Sequence, residues 1–271
     1  MEKVFETINN FTADDPPLLH DYTFSMPIIF LSVYLVFVKV GPKLMKNRKK
    51  IEGGLASWNL FLAVLSLAMF IGMAVPCLKF YWERGFIEFL CLPGRELYHG
   101  SQFFWVWLFA ISKYFELIDT VFVVIRKREV EFLHYYHHTT VLLFTWFCVI
   151  TLPGGVGYMF SIMNAGVHTI MYYYFYKAAI GKRPSWGQTV TIIQLSQMVV
   201  GVIFSATWIV NYLDGVCKCD YAYSYFFSSV ALYGSYFVLF LQFYYRRYFS
   251  GKKPAPTPAP PVVPLNPKKD N

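Results

Sequence analysis

The chain has 271 residues, of which 56% are hydrophobic and 20% aromatic against only 15% charged, with a mean hydropathy of +0.41. A water-soluble domain carries about 25% charged residues, so this composition excludes a soluble globular fold and points to an all-α membrane protein. The formal net charge of +8 gathers in short segments between apolar blocks, as a topological collar beside anionic headgroups does, and implies no nucleic-acid partner.

The first segment, residues 1–23, is polar and acidic, so it is expected to hold no cleavable signal sequence and to lie on the lumenal side. It contains the glycosylation sequon Asn10-Phe11-Thr12. Crossing a bilayer as a helix needs roughly 20 apolar residues. Seven blocks approach that length: about Phe24–Val40, Ser57–Cys77, Phe103–Ile125, Phe132–Leu152, Val156–Ala179, Gln188–Leu213 and Tyr225–Tyr245. The reading is one seven-helix membrane domain over residues 24–249. Pro153-Gly154-Gly155 makes a tight turn between the fourth and fifth spans. The tail 250–271 is rich in Pro, Lys and Ala, cannot bury a core and is expected to be disordered. It ends Lys268-Lys269-Asp270-Asn271, which resembles a dilysine retrieval signal of the endoplasmic reticulum.

Basic residues set the orientation. Six lie between Lys39 and Lys50, three at Arg126, Lys127 and Arg128, three at Lys177, Lys182 and Arg183, and six after the last span. Those 18 of the 24 basic residues share one side if seven spans alternate, which places the N-terminus in the lumen and the C-terminus in the cytosol. Cys91, Cys217 and Cys219 then fall in lumenal loops, where an oxidising compartment permits a disulfide from Cys91 to Cys217 or Cys219.

The polar residues inside the spans carry the chemistry, because ionisable groups in a bilayer are expensive and line cavities or reaction paths. His134, His137 and His138 begin the fourth span at offsets that share one helical face. The third span holds Lys113, Glu116, Asp119 and Thr120 as a drifting polar stripe, with Glu116 one turn from Lys113. Asn164 and His168 lie four apart in the fifth span, before Met171 and Tyr172; Thr191, Gln194 and Gln197 follow in the sixth. Counted along their helices at 1.5 Å per residue, these groups all fall roughly 10–15 Å from the cytosolic boundary. Unrelated helix staples would scatter in depth. The expected architecture is therefore a substrate tunnel whose polar chamber opens to the cytosol and whose lumenal half is dry and aromatic, suited to a ligand with a polar head and an apolar tail.

At these residues the chain resembles the membrane-embedded fatty acid elongase family, the very-long-chain 3-ketoacyl-CoA synthases of the endoplasmic reticulum. Lys113-Tyr-Phe-Glu116-Leu-Ile-Asp119-Thr120 matches that family's K-x-x-E-x-x-D-T, and His134 to His138 its H-x-x-H-H box. Asn164 with His168, Met171 and Tyr172 is similar to its N-x-x-x-H-x-x-M-Y segment, and Thr191, Gln194 and Gln197 to its T-x-x-Q-x-x-Q. The stretch before the histidine box, Lys127 to Leu133, looks like that of members acting on saturated and monounsaturated chains.

The resemblance implies decarboxylative condensation of malonyl-CoA with a long-chain acyl-CoA, with no cofactor and no metal. It implies a partnership with the reductases and the dehydratase of the elongation cycle. No cysteine lies near the polar chamber, so imidazole serves as acyl acceptor or as base. The preferred scheme puts the acyl group on His137, oriented by His138 or His134, with His168 and Asn164 on the malonyl thioester; the alternative is direct condensation with a histidine as base only. Thr120, Met171, Tyr172, Gln194 and Gln197 would line the substrate path, and Arg126, Lys127, Arg128, Lys182 and Arg183 would hold CoA phosphates. Two rival classes fit less well. Membrane di-iron desaturases and hydroxylases also use H-x-x-H-H boxes but assemble about eight histidines, whereas this chain has six, two of them (His20 and His99) outside the chamber. A seven-span transporter or receptor would suit the charged stripe but shows no pair of broken helices in matching halves.

Overall fold

In apolar surroundings every backbone N–H and C=O needs an internal partner, and a helix supplies those partners within one segment. The computed structural model describes residues 10–11, 25–48 and 53–249. Among the described residues it contains ten helices and no strand. They are α1 (Ser25–Met45), α2 (Leu55–Arg84), α3 (Phe86–Leu90), α4 (Gly94–Leu97), α5 (Gly100–Glu116), α6 (Ile118–Ile125), α7 (Phe132–Thr151), α8 (Gly155–Ala179), α9 (Gly187–Leu213) and α10 (Ala222–Tyr248). By length and apolarity α1, α2, α9 and α10 can cross a membrane. The segments α5–α6, α7 and α8 coincide with the other three apolar blocks and carry most of the intramembrane polar residues, which dilute their hydropathy.

The long helices close on one another in a ring: α2 packs on α5, α5 on α7, α7 on α10, α10 on α9, α9 on α8, and α8 back on α2. Small residues make the closest seams. Gly166 of α8 lies against the ring of Phe70, and Gly72 of α2 leaves room for Trp105. α1 stands outside the ring and touches α6 and α7.

The two ends of the bundle differ. One gathers the basic segments: Lys127 Nζ donates to the Lys46 carbonyl at 3.1 Å, and Gln188 Nε2 to the Tyr244 hydroxyl at 2.8 Å, tying the segment after α6 to the segment after α1, and α9 to α10. At the other end α3 and α4 fold back across the helices, a pair of short elements that the apolar blocks do not signal. A disulfide joins Cys91, at the end of α3, to Cys217, in the α9–α10 loop, and leaves Cys219 a free thiol. Tyr98 Oη donates to the Gly154 carbonyl at 3.0 Å, and Gly155 N donates to the Leu92 carbonyl at 3.1 Å. Gly154 adopts φ +80°, and a Cβ there would strike the Leu92 carbonyl, so the turn needs glycine on both counts. Inside this end Phe160, Trp208, Tyr225 and Tyr233 form a buried aromatic core.

Two expected boundaries change. α2 carries Pro76 within it and runs on past Cys77 to Arg84, well beyond the apolar block. The third block is not one helix: α5 ends at Glu116 and α6 begins at Ile118. Leu117 N reaches the Tyr114 carbonyl and Thr120 N the Leu117 carbonyl, both three residues back, so a tighter turn interrupts the ladder with neither Pro nor Gly present. Asn10 is exposed. His20, Lys268, Lys269, the rest of the N-terminal segment and the tail from residue 250 lie outside the described residues.

Candidate active site

Lys113 and Glu116 stand one turn apart near the end of α5, and both are buried. A charge in such a place must be paired and hydrogen-bonded. Lys113 Nζ lies 2.7 Å from Glu116 Oε1 and also donates to Asn164 Oδ1 at 2.9 Å. Glu116 Oε1 is in turn 3.4 Å from His168 Nδ1. Asn164 and His168 reach this network from successive turns of α8, so one ion pair on α5 fixes two side chains of the facing helix.

The histidine box opens α7. His137 has its ring centroid 6.4 Å from that of His168, 5.4 Å from His138 and 5.0 Å from Tyr236. His134 and His138 are closer, at 4.5 Å. Tyr236, on α10, bonds Thr140 Oγ1 at 2.7 Å and donates to the His137 carbonyl at 3.2 Å, so α10 holds the turn of α7 that carries His137.

His137, Asn164, Gln197 and Tyr236 meet at one end of a cavity of about 50 Å³. The walls continue along α7 through Val141, Phe144 and Thr145 to Cys148. Gly157, Phe160 and Ser161 of α8 and Leu232 and Tyr233 of α10 face them. From His137 to Cys148 the wall spans about 16 Å at 1.5 Å per residue. It is polar where the histidine, amide and phenol converge and apolar towards the disulfide end. At about 50 Å³ the space takes only a short stretch of an aliphatic chain.

Asp119 and Thr120 face elsewhere. Asp119 accepts from Trp58 Nε1 and from Tyr172 Oη, each at 2.7 Å, and so clamps α6 between α2 and α8. Thr120, fully buried, bonds Tyr34 Oη at 2.9 Å and His134 Nε2 at 2.8 Å. The four residues expected to share one stripe thus point to different partners, because the break at Leu117 re-aims the second pair. Gln194 Nε2 sits 3.3 Å from Met171 Sδ, outside the cavity wall, whereas Gln197 is part of it. The basic residues expected to hold phosphates gather at one end of the bundle, with Lys127, Arg128, Lys182 and Arg183 exposed and Arg126 half-buried. They are not part of the polar network. His99 is exposed at the opposite end, at the start of α5.

Tyr34, Trp58 and Tyr236 belong to the site's hydrogen-bond network and escape the sequence reading. Twenty-one tyrosines and seven tryptophans hide them; the one available signal is a hydroxyl or indole N–H buried in an apolar block, which demands a partner.

The chain is 38% identical over 256 residues to very long chain fatty acid elongase 3 of Mus musculus, covering 92% of this chain and 90% of that protein. It is 36% identical over 230 residues to very long chain fatty acid elongase 6 of Homo sapiens, covering 81% and 83%. With elongase 6 of Drosophila melanogaster it shares 34% over 227 residues, covering 82% and 71%. The profile of the ELO (GNS1/SUR4) family matches residues 19–256, and the chain belongs to that family.

Proposed function

We propose that this protein is the condensing enzyme of fatty acid elongation, joining malonyl-CoA to a long-chain acyl-CoA, saturated or monounsaturated, to give a 3-ketoacyl-CoA two carbons longer. The observation that carries the reading is the position of His137, at the polar head of a narrow apolar cavity and beside the Lys113–Glu116–Asn164–His168 network. The names of its relatives as fatty acid elongases support the same process.

The chemistry divides into two steps. An imidazole nitrogen of His137 attacks the acyl thioester carbonyl; the new C–N bond forms as the C–S bond breaks, and CoA leaves as a thiol after taking up a proton. The first carbons of the acyl tail enter the apolar cavity meanwhile. Malonyl-CoA then loses CO₂, and the electron pair of the broken C–C bond becomes the enolate of acetyl-CoA. Its α-carbon attacks the acyl-imidazole, the C–N bond breaks, and the departing His137 imidazole takes up a proton from solvent, replacing the one given to the CoA thiolate. Asn164 and His168 stabilise the enolate oxygen, and the Lys113–Glu116 pair holds both in place. Basic residues at the near end, Arg126 to Arg128 with Lys182 and Arg183, attract the CoA phosphates.

In the cell we place the chain in the endoplasmic reticulum membrane with seven spans, its basic end and C-terminus in the cytosol and its disulfide in the lumen. It would pass its product to the reductases and dehydratase of the cycle. Incubation of the purified protein with radiolabelled acyl-CoA alone tests the covalent step. CoA should be released and the label should stay on the protein, and His137→Ala should abolish both. His168→Ala should spare this half-reaction more than the malonyl-dependent one. If CoA appears only when malonyl-CoA is added, the acyl-imidazole is wrong and His137 acts at most as a base.

A further inference from the structure

α1 contributes nothing to the cavity wall. It stands outside the ring, and its buried face is short: Pro27, Leu31, Tyr34 and Gly41. Leu31 and Tyr34 pack with Leu117 and Leu142, the first at the break between α5 and α6, the second on α7. Apolar contact would be satisfied by a phenylalanine at position 34. The tyrosine instead sends its hydroxyl to Thr120 Oγ1, at 2.9 Å, and Thr120 Oγ1 lies 2.8 Å from His134 Nε2. A phenol on the peripheral helix is thus two hydrogen bonds from the histidine box.

Counting protons fixes the direction of that chain. Tyr34 and Thr120 each have one hydroxyl proton, and neutral imidazole has one N–H, on either ring nitrogen. If His134 donated from Nε2 to Thr120, and Thr120 to Tyr34, the buried Tyr34 proton would have no acceptor among the described residues. If Tyr34 and His134 both donated to Thr120, the Thr120 proton would have none. One direction pairs both buried hydroxyl protons: Tyr34 donates to Thr120, and Thr120 donates to His134 Nε2, which leaves the imidazole proton at Nδ1 of a half-buried ring. An unpaired buried donor is costly, and the hydrogen bond at one imidazole nitrogen decides which nitrogen carries the proton.

We propose that Tyr34 is a positioning residue for the histidine box: acting through Thr120, it holds His134 as the Nδ1–H tautomer and fixes its ring against His138. The ring centroids of His134 and His138 are 4.5 Å apart, and His138 is 5.4 Å from His137, so the orientation passes along the box to the residue at the cavity head. The activity arm of the test rests on the elongase reading; the tautomer arm does not.

The full chain, labelled with ¹⁵N-histidine and held in lipid nanodiscs, gives the tautomer directly, His134 signals being identified by their loss in His134→Gln. Wild type should show a protonated Nδ1 and an unprotonated Nε2 at His134, and Thr120→Ser, which keeps the hydroxyl, should show the same. Tyr34→Phe keeps the ring and its packing but frees Thr120 to accept, so His134 should shift towards the Nε2–H form. In the condensation assay Tyr34→Phe should lose about tenfold in kcat, the scale of a lost outer-shell partner, with KM for acyl-CoA within about twofold. Thr120→Val should lose at least as much, and Tyr34→Phe combined with Thr120→Val no more than Thr120→Val alone, since both break one chain. A Tyr34→Phe protein with wild-type tautomer signals would overturn the proposal, as would one with wild-type kcat in an active enzyme. Absence of condensation in wild type itself would instead sink the elongase reading and leave the tautomer arm to decide the relay.

Discussion

The Lys113–Glu116 pair offers the sharpest test of how the site is held together. Both side chains are almost fully enclosed, with relative exposures of 1% and 3%, and the pair distance is 2.7 Å. Removing one partner of such a pair leaves an uncompensated buried charge, which costs about 3–5 kcal/mol, whereas replacing both with neutral side chains of similar volume is close to neutral. Lys113→Met leaves the Glu116 carboxylate with only His168 nearby; Glu116→Gln leaves the Lys113 ammonium with two neutral amide acceptors, Asn164 and the new glutamine. Each single variant should therefore unfold about 3–5 kcal/mol more easily, and the double variant should recover most of that loss. Titration with SDS in bicelles, followed by tryptophan fluorescence, measures all four corners of the cycle. The double variant should nonetheless remain inactive in condensation, because Asn164 and His168 lose their anchor. Losses that simply add, with the double variant as weak as the two singles summed, would show that the two groups do not compensate each other and would refute the reasoning.

Two further expectations concern stability at the ends of the site. Cys91→Ser opens a disulfide that closes a loop of 126 residues and should cost about 2–5 kcal/mol, whereas Cys219→Ser, a free thiol, should leave the unfolding transition within experimental error; equal effects in the same titration would mean that Cys219 shares the pairing. Trp58→Phe and Tyr172→Phe each remove one donor from Asp119 and should each cost about 1.5–3 kcal/mol, with the pair together costing more than their sum because the carboxylate is then left with neither; additive or negligible losses would remove Asp119 as the clamp between α2 and α8.

Much of this was legible before any coordinates, for physical reasons that can be named. Helices were legible because apolar blocks of about 20 residues admit no other way of pairing their backbone. The polar network was legible in part because charges and imidazoles are rare in such blocks, so Lys113, Glu116, Asn164 and His168 stand out against their surroundings. What stayed hidden is whatever composition does not mark. Tyr34, Trp58 and Tyr236 look like any aromatic residue of a membrane helix, and only their bonds to Thr120, Asp119 and the His137 carbonyl distinguish them. α3 and α4 were hidden because their sequence is mixed and short, and their place is set by distant contacts, the Cys217 disulfide and the Gly154–Gly155 turn, not by their own periodicity.

The break at Leu117 is the feature on which the arrangement turns. Along an uninterrupted helix a residue advances about 100°, so Lys113 and Thr120, seven apart, would differ by only about 20° and face the same neighbour. In the structure Lys113 bonds Asn164 on α8, while Thr120 bonds Tyr34 on α1 and His134 on α7. The two residues on α5 thus serve the α8 side of the cavity head, and the two on α6 brace it from α1, α2, α7 and α8. One short motif therefore contacts four helices. The tighter turn that permits this has no proline or glycine to impose it, and the partners that hold the two halves apart are the same side chains that surround the histidines. Stability of the break and orientation of the site are consequently one problem: a substitution that straightened α5 into α6 would have to release Asp119 from Trp58 and Tyr172 and Thr120 from His134, and the histidine box would lose its footing with them.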